Sequence, residues 1–213
     1  MYLLLCFLPL LQVSYAQFVI NRSYDLSGGA DNAFKIWADE SGYWIDAGRF
    51  CEGTFDFCSV LFQTNTNGDS LWQVTYDYQP RVTIVDYVHD TINNYLYACG
   101  EQFGDDNLPF IIKLKENGDT LWLKTYDIPF LDSAQDIEFT PDGDLVIGIQ
   151  GGSFNEFANW TVLKADTSGN VIWQTTIEDE IDFSYGGQLT VLQDSSIMLA
   201  YHYPAPDNHR GYA

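Results

Sequence analysis

Basic residues are scarce in this chain. Only 9 Lys and Arg stand against 30 Asp and Glu, which leaves a formal charge of −21 over 213 residues. A field of that sign repels phosphate backbones and anionic lipid surfaces. The charge therefore argues against nucleic-acid binding and against attachment to an anionic membrane, and a solvated, acidic surface is expected.

Cysteine and histidine are also few, with four and three copies. The sequence has no Cys-x-x-Cys pair and no Cys/His cluster, which argues against a structural zinc site. Cys51 and Cys58 flank a short loop between two predicted strands, and they form the candidate disulfide. Cys99 lies within the strand YLYACG, where a small buried apolar side chain is expected.

The chain lacks the i, i+3, i+4 apolar pattern of helices outside its first residues. Those residues form an apolar stretch from Leu3 to Leu11 that ends in the small-residue exit Ser14-Tyr15-Ala16. The stretch is too short to span a bilayer and predicts a signal peptide at residues 1–16, hence a secreted or cell-surface protein. No basic residue precedes the apolar stretch, so the signal is atypical or the true start lies upstream.

A repeat of about fifty residues organises the rest of the chain. The stretch NGDSLWQVTYD at residues 67–77 returns as NGDTLWLKTYD at 117–127 and, more weakly, as SGNVIWQTTIE at 168–178. Within it, a Trp recurs at spacings of 50 and 51, as Trp72, Trp122 and Trp173. An Asn-Gly or Ser-Gly turn precedes each Trp and supplies Gly68, Gly118 and Gly169, where both turn residues are expected to tolerate positive φ.

Each unit contains two hairpins, which predicts four short antiparallel strands per repeat. Apolar side chains occur on both faces of these strands: in TLWLKTY, Trp122 and Tyr126 point one way while Leu121 and Leu123 point the other. A sheet with two apolar faces must be covered on both sides, as the blades of a β-propeller are. The repeated Trp residues are then structural wedges between blades.

The predicted blades cover residues 33–78, 82–127 and 134–178, with a partial blade at 186–213. Residues 18–25, FVINRSYD, align with the last strand of a unit and predict a lone closing strand whose partners come from the final unit. The sequence stops where a further strand would begin. These features favour an incomplete ring, a fragment of a larger propeller; a four-bladed ring that lacks a strand and a solenoid-like stack are the alternatives.

The pattern FIIKLKENGDTLWLKTYD, followed by AQDIEFTPDGDLVIGIQG, resembles secreted propeller-like repeats of Bacteroidetes-type bacteria, of the form K-L-x-x-x-G-x-x-x-W-x-K-T-[YF]. The resemblance implies export and a cell-surface or released product. Such repeats often precede a C-terminal sorting domain for type IX secretion, and this sequence contains no such domain. The motif carries almost no information about activity.

Candidate sites for chemistry are weak. Two acidic runs are candidate Ca²⁺ ligands, although neither has EF-hand spacing: Asp105, Asp106, Glu178, Asp179, Glu180 and Asp182. No catalytic motif and no cofactor site are identified, and the three His residues form no readable triad. Carboxylates in the first strands of the units could line a central channel, as a glycosidase would need: Asp86, Asp136 and Glu138.

Three interpretations therefore remain open. The first is an exported, non-catalytic propeller that presents loops to an unknown protein or glycan, with the rest of its own ring as a further partner. The second is an extracellular carbohydrate-active enzyme, a glycoside hydrolase or lyase, that uses the channel carboxylates together with blades outside this chain. A purely structural spacer is the third, less informative interpretation.

Overall fold

A computed structural model describes residues 22–26, 31–51, 57–104, 107–128, 131–151, 159–178 and 185–202. Regular structure in these residues consists of β-strands, with no helix among them. The strands are β1 (Asp31–Asp39), β2 (Gly42–Phe50), β3 (Phe57–Thr64), β4 (Ser70–Tyr76), β5 (Val82–Asp90), β6 (Tyr95–Gln102), β7 (Leu108–Lys115), β8 (Thr120–Thr125), β9 (Leu131–Phe139), β10 (Leu145–Gly151), β11 (Asn159–Ala165), β12 (Val171–Glu178), β13 (Tyr185–Val191) and β14 (Ile197–His202).

The strands pair strictly in chain order into antiparallel sheets. The first sheet contains β1–β4, the second β5–β8 and the third β9–β12, while β13 and β14 form a two-stranded hairpin. The prediction of an all-β chain built from four-stranded antiparallel sheets is confirmed. The described residues do not close into a ring.

The sheets stack face to face in the order of the sequence. One apolar cluster joins the first sheet to the second, with Trp44 and Leu61 packed among residues such as Phe110. Another joins the second sheet to the third around Tyr97 and Ile147, and a smaller one joins the third sheet to the hairpin. Both faces of the second and third sheets are thus covered, which is why their strands carry apolar residues on both sides.

In each four-stranded sheet, a five-residue turn closed by main-chain hydrogen bonds joins the third strand to the fourth. In the second sheet, the Gly118 N–H donates to the Lys115 carbonyl and the Lys115 N–H donates to the Asp119 carbonyl. Only the glycine of this turn has positive φ, 82° at Gly118. The preceding Asn keeps an ordinary conformation, because this longer turn needs only one left-handed residue, the glycine.

In the second and third sheets, this turn contacts the Trp and the Tyr of the preceding sheet. A Cβ built on Gly118 would lie 3.0 Å from the Trp72 ring, and one on Gly169 would lie 2.9 Å from the Trp122 ring. The Tyr76 hydroxyl donates to the Gly118 carbonyl at 3.0 Å. The Tyr126 hydroxyl donates to the Gly169 carbonyl at 3.2 Å. The repeated sequence motif therefore encodes the contact between consecutive sheets.

Residues 22–26 are not part of a strand, and residues 18–21 of the predicted closing strand lie outside the described residues. Tyr24 in this segment nevertheless makes the same kind of contact as Tyr76 and Tyr126. The Tyr24 hydroxyl donates to the Gly68 carbonyl at 2.6 Å, and the Tyr24 ring packs against Phe62 with centroids 5.0 Å apart. Tyr24 thus occupies, on the first sheet, the position that Tyr76 and Tyr126 occupy on the next two.

The described residues include no helix that is long and apolar enough to cross a membrane.

Candidate functional site

In the second and third sheets, acidic side chains of the first strand contact the edge strand of the sheet that follows. β5 has a bulge between Ile84 and Asp86, and β9 has one at the corresponding place, between Ala134 and Asp136. A bulge bends the edge strand and re-aims the residue that follows it. Asp86 and Asp136 both follow such a bulge, and both side chains reach forward to the following sheet.

Asp86 links three sheets. One carboxylate oxygen accepts an ion-pair hydrogen bond from Lys35 Nζ of the first sheet and a hydrogen bond from its neighbour, the Tyr87 N–H, at 2.7 Å. The other oxygen accepts from the Ile137 N–H of the third sheet at 3.3 Å. Asp86 is buried, so these donors replace the water that the carboxylate loses.

Asp136 and Glu138 repeat this arrangement one sheet further on. The Asp136 carboxylate accepts from the Leu189 N–H, and the Glu138 carboxylate accepts from the Val191 N–H, both at 2.8 Å. Both amides belong to the edge strand β13 of the hairpin. We call Asp86, Asp136 and Glu138 the inter-sheet carboxylates, because each accepts a main-chain hydrogen bond from the sheet that follows.

The pKa of Asp136 is raised, first by burial and then by a hydrogen bond with Asp86. The nearby negative charge of Asp86 adds to this effect, because it disfavours the charged form of Asp136. The structure therefore brings two of the three channel candidates into direct contact.

Asp46 is a fourth acidic residue of this region, which the sequence reasoning missed. It lies on β2 opposite Lys35 and is fully buried. The Tyr87 hydroxyl donates to its Oδ1 at 3.4 Å, and its Oδ2 has no hydrogen-bond partner among the described residues. Burial raises the pKa of Asp46 to about 8, the Tyr87 hydrogen bond opposes the shift, and the nearby Asp86 charge adds to it. A signal was present: Asp46 interrupts the apolar run YWIDAG.

The predicted Ca²⁺ ligands fall almost entirely on residues that the structure does not describe. Glu178 is the last residue of β12, whereas the other five candidates lie outside the described residues. Within the described part of the chain, one group of three potential ligands lies close together, Cys51, Cys58 and Asp77. Its two sulfur atoms are joined in a disulfide, so they cannot act as thiolate ligands.

The structure joins Cys51 to Cys58, with their Cα atoms 5.2 Å apart. Cys99 is a free, fully buried cysteine, and burial raises the pKa of its thiol. A thiol that stays protonated at neutral pH is a poor nucleophile, so Cys99 acts as an apolar side chain of the core.

No family model and no curated protein matches this chain. Three carboxylates are held by backbone amides, one buried carboxyl is held neutral, and Lys35 supplies the cation that reaches into this cluster.

Proposed function

We propose that the three sheets and the hairpin are successive blades of a β-propeller, and that the chain is an exported, non-catalytic module that presents its loops to a protein or glycan partner. The fifty-residue period and the face-to-face stacking support the propeller. Further blades complete the ring, and the apolar leader directs the protein to the cell surface or the medium, with type IX secretion as the route that its repeats suggest.

The observation that carries the non-catalytic assignment is the bonding of the inter-sheet carboxylates. A catalytic carboxylate needs free lone pairs directed at a substrate. Asp86, Asp136 and Glu138 instead accept hydrogen bonds from Ile137, Leu189 and Val191 of the next sheet. Their main role is therefore to satisfy edge amides that would otherwise be unpaired.

The experiment compares residues 17–213 with the variants Asp136→Asn and Glu116→Ala, the latter an exposed control. Each protein is assayed for the release of reducing ends from a panel of plant, algal and bacterial polysaccharides, and for binding to a glycan array. We expect no hydrolysis above the blank, and any glycan bound by the parent chain should also be bound by Asp136→Asn. Hydrolysis that disappears in Asp136→Asn alone would refute the non-catalytic assignment.

One observation favours the second candidate, a glycoside hydrolase or lyase. The raised pKa of Asp136, caused by burial and by the neighbouring Asp86, resembles that of a general acid. In this alternative Asp136 supplies the acid, and a carboxylate on a further blade supplies the second group. A bell-shaped pH profile of hydrolysis that is altered in Asp136→Asn would support it.

A further inference from the structure

One end of the first sheet carries three potential metal ligands on three neighbouring strands. Cys51 follows β2 directly, Cys58 is the second residue of β3, and Asp77 follows β4 directly. Their two sulfur atoms and one carboxylate oxygen lie within 4.8 Å of one another. We propose that reduction of the Cys51–Cys58 disulfide converts this end of the sheet into a zinc site, with these three residues as ligands.

Strand pairing brings the ligands together. The ladder between β3 and β4 ends at the Ser59–Tyr76 pair. Cys58 and Asp77 are the next residues outward, so they are neighbours on adjacent strands. The disulfide holds Cys51 beside Cys58, with their Cα atoms 5.2 Å apart. A search for Cys-x-x-Cys spacing misses such a site, because its ligands come from three strands.

The spacing and chemistry of the ligand atoms suit one zinc ion. A Zn–S bond is about 2.3 Å long and a Zn–O bond about 2.0–2.2 Å, so two ligands of one ion are at most about 4.6 Å apart. Atoms that already lie within 4.8 Å of one another need only side-chain rotations to reach the same ion. Thiolates select Zn²⁺, whereas Ca²⁺ and Mg²⁺ prefer oxygen ligands alone.

The three ligands differ in their exposure. Both cysteines are buried, and Asp77 is exposed. The sulfur atoms therefore form the floor of the site, and the carboxylate forms its opening to solvent. A water molecule from that side supplies the fourth ligand of a tetrahedral ion. The formal charge of −21 raises the concentration of cations around the protein.

Reduction requires a dithiol as the electron donor. The dithiol breaks the S–S bond, gives two electrons and two protons to the cysteine sulfurs, and becomes a disulfide itself. Zn²⁺ then displaces both protons and bonds to the two thiolates and to the Asp77 carboxylate. The oxidised chain has no thiolate to offer, so zinc binding depends on the redox state of this disulfide. The site requires neither a closed ring nor a glycan partner.

The experiment measures zinc binding to residues 17–213 by isothermal titration calorimetry. The chain is either oxidised, or reduced with dithiothreitol and separated from it by anaerobic gel filtration. We expect the reduced chain to bind one Zn²⁺ with release of two protons, and the oxidised chain to show no such binding. Co²⁺ in place of zinc should give thiolate charge-transfer absorption in the reduced chain only.

Substitutions test the ligand set. Asp77→Asn should weaken zinc binding to the reduced chain by at least about tenfold, since even groups that only support a ligand change metal affinity by that much. Asp127→Asn is the matched control, because Asp127 ends the same Thr-Tyr-Asp motif in the second sheet, where Leu108 stands in place of Cys58. Cys99→Ala should bind zinc as the parent does, because Cys99 is buried in the core between the second and third sheets.

Equal zinc affinity in Asp77→Asn and Asp127→Asn would overturn the proposal. Equal binding by the oxidised and reduced chains would also overturn it, because the ion would then be held by the acidic surface. Circular dichroism monitors the fold in both redox states. If reduction unfolds the chain, Zn²⁺ should refold the parent, and failure to do so would likewise overturn the proposal. The non-catalytic assignment is tested separately, by the hydrolysis and glycan assays.

Discussion

The Asp136 carboxylate accepts a hydrogen bond from the Leu189 N–H at 2.8 Å, across 53 residues of sequence. This bond joins the third sheet to the hairpin. Asp86 and Ile137 form the same bond between the second sheet and the third, at 3.3 Å. Acidic residues near the bulges of the edge strands therefore link consecutive sheets in a repeating manner, and they account for part of an acidic composition that would otherwise look like surface charge alone.

Removal of this acceptor should destabilise the protein. Asp136→Ala leaves the Leu189 N–H without its partner, which should cost about 1–3 kcal/mol in the free energy of unfolding. Asp136→Asn retains an oxygen that accepts and should lose less. Urea denaturation measures both, with Glu116→Ala, an exposed residue, as the control. Equal losses in the Ala and Asn variants would mean that the hydrogen bond contributes little.

Buried Asp46 should make stability depend on pH. Its folded pKa, about 8, lies above the value near 4 of an unfolded chain. As pH rises the unfolded state releases the proton first, so this residue lowers stability between about pH 4 and pH 8, with no further change above.

Asp46→Asn cannot ionise, so its stability relative to the parent should rise with pH by up to about 1.4 kcal/mol per pH unit in that window. Urea midpoints at pH 5, 6, 7 and 8 provide the measurement. Asp119→Asn is the control. Hydrogen bonds from Asn117 and Lys115 hold the pKa of exposed Asp119 below its usual value. The difference in unfolding free energy between this variant and the parent should therefore not change over this pH range. A flat difference for Asp46→Asn as well would show that Asp46 is ionised in the folded chain.

The repeated Trp residues should differ in their contribution to stability. Trp122 packs against the turn of the third sheet at Gly169, so Trp122→Ala should cost about 3 kcal/mol or more. Trp173 is 38% exposed, and Trp173→Ala should cost less than half as much. Thermal and urea unfolding of both variants test this difference, and equal losses would contradict the packing described for the sheets.

The turn glycines provide a matched pair. Gly118 and Gly143 both have positive φ, 82° and 88°, so alanine costs about 1–2 kcal/mol at either position. A Cβ at Gly118 also meets Val74 at 2.9 Å and Trp72 at 3.0 Å, whereas nothing lies within 4 Å of one at Gly143. Gly118→Ala should therefore lose at least about 1 kcal/mol more than Gly143→Ala in urea unfolding. If the two lose equally, the Trp72 ring does not pack where the structure places it.

The sequence allowed the sheets to be predicted because their markers recur. Trp72 and Trp122 stand at one period with a glycine turn before each, and alternation then assigns the faces of the strands. The link between sheets was not predictable in the same way. Whether Asp86 faces a channel or an amide depends on a bulge one residue away, and a bulge leaves no reliable mark in a single sequence.

Asp46 and Lys35 show a second reason why the site was not fully predictable from the sequence. Neither residue recurs in the later sheets. Cys99 and Gly148 stand at the positions equivalent to Asp46. Asp86 and Asp136 stand at the positions equivalent to Lys35. A method that searches for repeated features passes over residues that occur once. Burial of the lone Asp46 follows from packing between the first two sheets, which is a long-range property.

Amide hydrogen exchange at Leu189 tests the central claim, that a carboxylate of one sheet holds the edge of the next. The account predicts that the Leu189 N–H is protected although it faces out of an edge strand, and that Asp136→Ala accelerates its exchange while the Ile137 N–H, held by Asp86, stays protected. Exchange of Leu189 at the rate of an unstructured peptide in the parent chain, or equal acceleration at both amides, would contradict it.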